Sequence, residues 1–508
     1  MRWPDDDRIS DLAHEVIVHI LSFLSLKEAA KSSTLSRRWR YLWMYTYRRW
    51  DFDASKTLFL LPLNGNLRGE RYKYVKWVSS VLKLHRSSHL EELRIRFDLS
   101  REHSIHMQRW VKFAIEKKVQ RFELDLSSTP GDTPYSTHQS SLQPNKFLLP
   151  NLGQVIKNPN NLIYSGWDLK IDNGEAPFSQ LKSLTLRSVE IYSDAVEYLL
   201  SNCPLLEHLC IERSKAMAFK IVGPPSLRLK SLEILHCLRL VQMEIYAPNL
   251  ESFAYVGNMI QVPFKHVSNS ISDLTLGMDY GLSFLSYPKR HVHYFKHVKK
   301  LAIDYFGDAR YRRRIPENFP KMIYLKHVEL RWEEAGHASL VYPLTLVKAA
   351  PSLCTFKMEI ILLGAGWPKA MAEERLEKHE PYHAPMREAV AKIKHKCLKT
   401  VELSGFDPTV PSLDLVSLLI DISAESPLEK MVIKFLEEKG TPHALELLEN
   451  VTNKLGPATE LVICAERIDI FRSYNFLATD EGIAIRDSMN ESLKMYMGNT
   501  AKNINILG

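Results

Sequence analysis

The chain has 508 residues, of which 45% are hydrophobic and 25% are charged, and its formal net charge at pH 7 is +8. This composition is ordinary for a globular protein, and the length suits two or three domains or one elongated repeat array. No window approaches the roughly 18 uninterrupted apolar residues of a membrane span, and the mild positive charge is too diffuse to indicate nucleic-acid binding.

The cysteines and the N-terminal residues indicate the compartment. The six cysteines are scattered, with neither a C-x-x-C pair nor the spacing of a disulfide framework. Residues 1–8 are acidic and lack the apolar segment of a secretory signal. We therefore expect a reducing compartment, cytoplasmic and/or nuclear.

Residues 8–43 have the pattern of three short helices. The first apolar run covers well over the usual 100° stripe of a surface helix. The second helix is predicted to open with a capping box, an S-x-x-E pattern. The predicted capping residues are Ser10 or Asp11 for the first helix, Ser25 with Glu28 for the second, and Ser33 or Thr34 for the third.

These helices carry more apolar surface than they can bury among themselves. A chain this short rarely supports its own core. Each large apolar side chain left in water forgoes roughly 1.5 to 3 kcal/mol, which a partner surface could recover. We expect the partner to contact Leu12, Val16, Ile17, Ile20, Leu21, Leu24, Leu35 and Trp39.

The same segment resembles an F-box. The likeness rests on L-x-x-E-V-I-x-x-I-L-S-x-L from Leu12 and on S-x-x-W-R-x-L-W from Ser36. The resemblance implies that the partner is a Skp-type adaptor and, through it, a cullin. The family usually has proline where this chain has Ala13, and proline is pre-shaped for a first helical turn. Whether Ala13 weakens adaptor binding stays open.

Beyond the helices, one pattern recurs along the chain. It is L-x-x-L-x-L, in which a short strand points alternate apolar residues inward, and successive copies mostly start 21 to 30 residues apart. The pattern predicts an α/β fold, a curved leucine-rich-repeat solenoid with a parallel concave sheet. The copies start at Leu90, Val119, Gly166 (weakly), Leu181, Leu206, Leu229, Leu250, Ile271, Val298, Leu325, Leu353, Leu398, Leu428 and Ala458.

The connections between copies differ in length. Helical spacing predicts helices at residues 73–84, 193–202, 369–380 and 413–424. The repeats near Leu229 and Leu250 are too short for a full helix, so we expect them to return by loops. We interpret residues 41–53 as a connector, residues 130–150 as a loop or an irregular repeat, and residues 363–396 as an insertion.

Two further resemblances extend the family likeness. The phrases VLKLHR, RWVKFAI and VQRFELDL resemble the opening of plant F-box proteins with leucine-rich repeats, and LKTVELSGF with LEKMVIK resembles the FBD module that ends many of them. We therefore divide the chain into an F-box (5–50), a helical connector and N-terminal cap (51–89), leucine-rich repeats (90–396), FBD-like terminal repeats (397–470) and a tail (471–508).

The alternation of each strand also predicts a binding surface. Residues beside the last two inward leucines face the concave side, where solenoids usually bind. Cys210, Leu235, Ala254 and Val256 would form an exposed apolar patch there, with Asp304 and Arg331 as charged neighbours. Arg312 and Arg313 belong to the densest basic cluster, which could meet an acidic partner or be a solvated loop.

The resemblance to F-box proteins implies a non-catalytic receptor subunit of an SCF-type ubiquitin ligase whose solenoid binds an as yet unknown target protein, and we expect no cofactor, metal or catalytic residue. The zinc-protease spelling H-E-x-x-H at His379 is interrupted by Pro381, which opposes the helix that such a site needs. A receptor that also takes a small molecule stays open. The alternative from another class is a repeat scaffold or nucleic-acid-associated protein that uses the arginine cluster.

Overall fold

The computed structural model describes residues 12–60, 66–127, 178–260, 271–291, 294–306, 319–334, 343–362, 393–406, 410–423, 428–436, 453–455 and 459–466. These residues form a small helical unit that leads directly into a long α/β solenoid. The predicted helix at 369–380 and the predicted caps Ser10 and Asp11 lie outside the described residues.

The N-terminal unit consists of short helical segments around one small core. Helix α1 (His14–Leu21) and helix α2 (Leu26–Lys31) are followed by 3-10 segments at Ser32–Thr34 and Trp39–Tyr45. The side chains buried at their centre are Ile17, Leu21, Ala29, Trp39 and Leu42. Five side chains make a very small core, which agrees with the expectation that this unit depends on a neighbour.

The capping box of α2 is confirmed. The Ser25 hydroxyl accepts a hydrogen bond from the Glu28 amide, and the Glu28 carboxylate accepts one from the Ser25 amide at 3.0 Å. The predicted cap of the third segment is wrong, because Ser33 and Thr34 lie in the preceding 3-10 turn. The hydroxyl that accepts the Trp39 amide belongs to Ser36.

The solenoid is built on one parallel sheet of 14 strands, which follow one another in the sheet in chain order. The strands are β1 (Arg49–Asp53), β2 (Glu92–Arg96), β3 (Arg121–Asp125), β4 (Ser183–Arg187), β5 (His208–Glu212), β7 (Ser231–Leu235), β9 (Ser252–Val256), β10 (Asp273–Gly277), β11 (Lys300–Phe306), β12 (His327–Glu334), β13 (Thr355–Leu362), β14 (Thr400–Phe406), β15 (Lys430–Leu436) and β16 (Glu460–Glu466). The predicted parallel concave sheet is thus confirmed.

Thirteen of the fourteen predicted repeats coincide with a strand. The exception, the weak copy at Gly166, lies outside the described residues. Residues 121–125 of β3 pair directly with residues 183–187 of β4, so no strand lies between them in the sheet. Strand β1 was missed, because the interpretation of residues 41–53 as a connector overlooked the alternation of buried Trp50 and Phe52.

Helices pack on the side of the sheet away from the concave face. They are α3 (Ser55–Leu60), α4 (Leu67–Leu84), α5 (Ser104–Glu116), α6 (Ser193–Asn202), α7 (Met278–Ser286), α8 (Leu344–Ala349) and α9 (Val410–Ile422). Three of these confirm predicted helices, with α4 beginning earlier than expected because the Asn66 side chain accepts the Gly69 amide at 2.8 Å. No helix in the described part of the chain is both long and apolar enough to span a bilayer.

The two shortest repeats return by strands, not by the predicted loops. Strands β6 (Ala218–Val222) and β8 (Gln242–Tyr246) pair in parallel as a separate two-stranded sheet. Alternate side chains of each strand, such as Phe219 and Met243, are buried in the main core. A strand spans more length per residue than a helix, so it lets a short repeat keep its apolar contacts.

Candidate functional site

The N-terminal unit exposes five large apolar side chains, here together called the docking face: Val16, Ile20, Phe23, Leu24 and Leu35. Their exposed fractions range from 40% for Leu24 to 68% for Leu35. Single exposed apolar side chains are normal, but five on a unit with only five core residues form an unusual concentration. This face can exclude water against a partner, and it offers no group for acid or base chemistry.

The structure divides the eight predicted adaptor contacts into two groups. Val16, Ile20, Leu24 and Leu35 are exposed on the docking face, whereas Ile17, Leu21 and Trp39 are buried in the unit's own core and Leu12 is half-buried. The buried three shape the docking face from beneath. Phe23, 61% exposed, was left out of the predicted contacts, although its position three residues after Ile20 places the two side chains on neighbouring turns.

The docking face is held rigidly relative to the sheet. The Tyr47 amide donates to the Ser22 hydroxyl at 3.3 Å, and the Tyr47 carbonyl accepts the Glu91 amide at 2.7 Å just before β2. The Trp50 indole N–H donates to the Thr46 hydroxyl at 2.9 Å. Because the chain passes from α2 to β1 through these contacts, the helical unit and the solenoid form one continuous body.

The concave face of the first strands is covered by a network of ion pairs. Arg94 on β2 lies 3.7 Å from Asp51, 3.6 Å from Asp53 and 3.2 Å from Glu123. Arg96 lies 3.6 Å from Asp53 and 3.1 Å from Asp125. The network continues to β5 through Arg187, which pairs with Glu123 and Glu212. Each cation there already has carboxylate partners, so this part of the surface is largely self-neutralised.

Glu212 at the end of the network has a strongly shifted pKa. Burial acts to raise the pKa of this carboxyl, but the neighbouring His236 ring and the charges of Arg213 and Arg187 lower it to about 2. The nearest atoms of His236 and Arg187 lie 3.7 Å and 3.0 Å from the carboxylate. Glu212 therefore stays ionised and acts as a structural anion rather than as a proton donor.

The predicted apolar patch on the concave face is not exposed. Cys210, Ala254 and Val256 are only 7%, 9% and 3% exposed, and Leu235 is half-buried. Ala254 stands between Glu233 and Thr275 in the sheet register, so its longer neighbours shield it. These residues occupy the strand positions that face the concave side, but the prediction neglected that side chains on neighbouring strands shield them from solvent.

A cleft of about 420 Å³ opens on the concave face from β10 to β14. Its lining includes the predicted target contacts Asp304 and Arg331, together with Glu329, which strand alternation also assigns to the concave face but which was not among the predicted target contacts. Arg331 contacts Glu359 at 3.2 Å across the neighbouring strand. The predicted contacts Arg312 and Arg313 lie outside the described residues. The cleft thus combines room for a ligand side chain with charged groups in its lining.

The described residues form no metal site, and the buried cysteine Cys203 is not suited to thiol chemistry. No group of three His, Cys, Asp or Glu side chains there could hold a metal ion. Burial raises the pKa of the Cys203 thiol to about 12, so it stays protonated and unreactive at neutral pH.

Comparison with protein families matches both parts of the molecule. The F-box domain family matches residues 9–50, and the family described as At1g61320/AtMIF1, LRR domain, matches residues 81–446. The first range contains the docking face, and the second contains the sheet from β2 to β15.

Relatives from Arabidopsis thaliana carry similar descriptions. The chain is 33% identical over 209 residues to the putative F-box/LRR-repeat protein At3g59230, covering 40% of each chain. It is 27% identical over 228 residues to the F-box/LRR-repeat protein At3g26922, covering 44% of this chain and 66% of the relative. The FBD-associated F-box protein At4g10400 is 27% identical over 297 residues, covering 53% of this chain and 64% of the relative.

The chain thus spans less than two thirds of the length of each of these relatives. The repeat family, in contrast, matches more than half of the 508 residues. The chain belongs to the At1g61320/AtMIF1-type leucine-rich-repeat family and carries an F-box domain at its N-terminal end.

Proposed function

We propose that this protein is the substrate-receptor subunit of an SCF-type ubiquitin ligase. The docking face binds a Skp-type adaptor and through it a cullin, the concave sheet binds a target protein, and catalysis resides in other subunits. The observation that carries the proposal is the docking face itself, five exposed apolar side chains on an F-box unit.

The energetics of the docking face support a stable partner. Fully covering a leucine or phenylalanine side chain is worth roughly 1.5 to 3 kcal/mol. Even partial covering of Ile20, Phe23, Leu24 and Leu35 would offset much of the cost of association. The rigid junction at Tyr47 supports the second half of the proposal, because a fixed junction holds a bound target at a constant distance from the adaptor.

Co-purification of the full chain with a Skp-type adaptor tests this function. Leu24→Asp with Leu35→Asp places charges on the docking face, and we expect adaptor recovery to fall at least about tenfold. The matched control is Met217→Asp, an equally exposed apolar position on the solenoid, 65% exposed. Equal recovery for all three proteins would refute the adaptor role and favour a scaffold that acts outside a ligase.

Three finer assignments belong to the same proposal. Residues 397–470, with β14 to β16 and α9, form an FBD-like terminal module, supported by the FBD-associated relative. The remaining boundaries are those of the sequence analysis: 5–50, 51–89, 90–396 and 471–508. The protein acts in the cytoplasm and/or nucleus, because its thiols need no oxidising compartment; the described cysteines are free.

A further inference from the structure

The cleft on the concave face arises from the order of side chains across five strands. One row in register reads Thr275, Ala302, Glu329, Lys357 and Glu402. The next row reads Gly277, Asp304, Arg331, Glu359 and Ser404. Both rows have short side chains on β10 and β11 and long ones on β12 and β13. The short residues form a floor, and the long residues form a wall beside it.

The cations in that wall already have partners. Arg331 Nε lies 3.2 Å from the Glu359 carboxylate. Lys357 Nζ lies 2.9 Å from Glu402, and Lys434 Nζ lies 2.8 Å from the same carboxylate. Hydrogen bonds from both lysines lower the pKa of Glu402, so it stays ionised and retains them. These cations are therefore poorly placed to attract an acidic ligand.

Glu329 is the carboxylate that the cleft leaves available. It is exposed on β12 between Ala302 and Lys357 in the register, and it makes no ion pair within the described residues. The lining contains four carboxylates and two cations. Including Lys434, which reaches Glu402 from β15, carboxylates still outnumber cations by one.

Resting on the proposed receptor function, we propose that this cleft recognises the target, by taking a lysine or arginine side chain of an extended target segment against Glu329. The aliphatic part of such a side chain packs over Ala302 and the Thr275 methyl group, while its cationic end meets the Glu329 carboxylate. A volume of about 420 Å³ lies near the lower end of the range for ligand sites, so the cleft holds one or two side chains rather than a folded surface.

The concave face of the first strands is less suited to bind a basic side chain of the target. Arg94 has three carboxylates within 3.7 Å, and Arg96 has two. A ligand charge there would have to displace existing ion pairs, whose loss offsets most of the gain. The cleft offers a carboxylate without that cost.

Binding of degenerate peptide pools to the purified full chain, measured with and without a Skp-type adaptor, tests the proposal. The pools are identical except for a central residue fixed as Arg, Lys, Ala or Glu. We expect the Arg and Lys pools to bind about five- to tenfold more tightly than the Ala pool, and the Glu pool to bind most weakly. Glu329→Gln should abolish the preference, and Glu329→Lys should reverse it toward the Glu pool.

The matched control is Glu251→Gln, because Glu251 is an exposed carboxylate before β9 that does not line the cleft. It should leave the preference for basic residues unchanged. A preference for the Glu pool in the unsubstituted protein, equal binding of all pools, or no binding of any pool would each overturn the proposal. Adaptor co-purification from the same samples reports separately on the ligase function, so the two proposals fail independently.

Discussion

The hydroxyl of Tyr47 lies 2.6 Å from Nδ1 of His19, and this contact joins the first helix of the F-box to the residues that open the first strand. The two rings also stack, with centroids 6.3 Å apart. Phe23 of the docking face packs edge-on against His19, and the Arg48 guanidinium lies over the Phe23 ring. The adaptor surface and the solenoid are thus coupled through one small aromatic cluster.

Removing the Tyr47 hydroxyl should weaken this junction without unfolding the protein. Tyr47→Phe keeps the ring stacking and loses one hydrogen bond, so we expect the free energy of unfolding to fall by about 0.5 to 1.5 kcal/mol. Urea denaturation measures the change. Tyr45→Phe is the control, because Tyr45 is 47% exposed. Equal destabilisation by both substitutions would mean that the Tyr47 contact contributes nothing specific.

The ion-pair network predicts that Arg94 matters more to stability than its neighbour Arg121. Arg94 is flanked by Asp51, Asp53 and Glu123, whereas Arg121 is half-exposed and, among the residues that the structure describes, pairs only with Glu92 at 3.2 Å. Arg94→Met removes the one cation that Asp51, Asp53 and Glu123 share and leaves each with a single other cation, so repulsion among them rises and we expect a loss of about 1 to 3 kcal/mol. Arg121→Met should cost less than about 1 kcal/mol.

The dependence of the loss on salt concentration distinguishes repulsion between carboxylates from lost packing as its cause. Added salt screens repulsion among the carboxylates that remain in Arg94→Met, so its deficit in urea denaturation should shrink as the ionic strength rises. A deficit that does not depend on salt would instead indicate that short-range contacts of the guanidinium group, rather than its charge, supply the stability.

Much of the fold could be predicted because its signal is periodic. Inward apolar side chains such as Leu184 and Leu186 of β4 recur at the same spacing in the other strands of the sheet, and burial of those side chains decides the structure. Strand β1 was missed because Tyr47, Trp50 and Phe52 occupy the three positions of the pattern, so that no aliphatic residue marks it. Strands β6 and β8 were missed because pairing between them, which no local pattern reveals, decides how short repeats return.

The site was less predictable than the fold, because exposure depends on neighbours that are distant in sequence. Val256 points to the concave face as expected, but its neighbours in the sheet leave it only 3% exposed. The repeat alignment does place Ala302 and Glu329 side by side on the concave face, as the sheet register has them. It does not reveal which charged side chains pair with one another, and that pairing decides which carboxylate of the cleft stays available.

The free energy of unfolding should fall as the pH is lowered, because buried His85 resists protonation in the folded protein but not in the unfolded chain. Burial, aided by the charge of Lys117, lowers the pKa of His85 to about 4. The histidine side chain of the unfolded chain takes up a proton near pH 6.5. The contribution of His85 to the free energy of unfolding is therefore fully present above that pH and declines between about pH 6.5 and pH 4. The difference between the pKa of His85 in the folded protein and in the unfolded chain corresponds to about 3 kcal/mol of the free energy of unfolding.

Replacing His85 should remove that part of the pH dependence. The ring packs edge-on against Trp50 and Phe113, with centroids 4.6 and 5.5 Å away, so His85→Phe keeps an aromatic contact without a titrating group. Urea denaturation at pH 7 and pH 5 should give a smaller difference for this variant than for the unsubstituted protein. His208→Gln, a change of an exposed histidine, should leave the difference intact. An unchanged difference in His85→Phe would contradict the assignment.

Gly405 on β14 should tolerate no side chain. Its φ is +67°, which L residues other than glycine rarely adopt, and an added Cβ would lie 2.0 Å from the Ile360 carbonyl oxygen on β13. The pairing of β14 with β15 shifts register between Leu403 and Phe406, so the left-handed residue allows the bulge. We expect Gly405→Ala to lower the free energy of unfolding by at least about 2 kcal/mol, because backbone strain and the contact with a neighbouring backbone add together. Ser404→Ala, one residue earlier on the same strand, should cost less than about 1 kcal/mol in the same urea denaturation. Similar losses for the two variants would show that the bulge relaxes around a methyl group and that glycine is not required there.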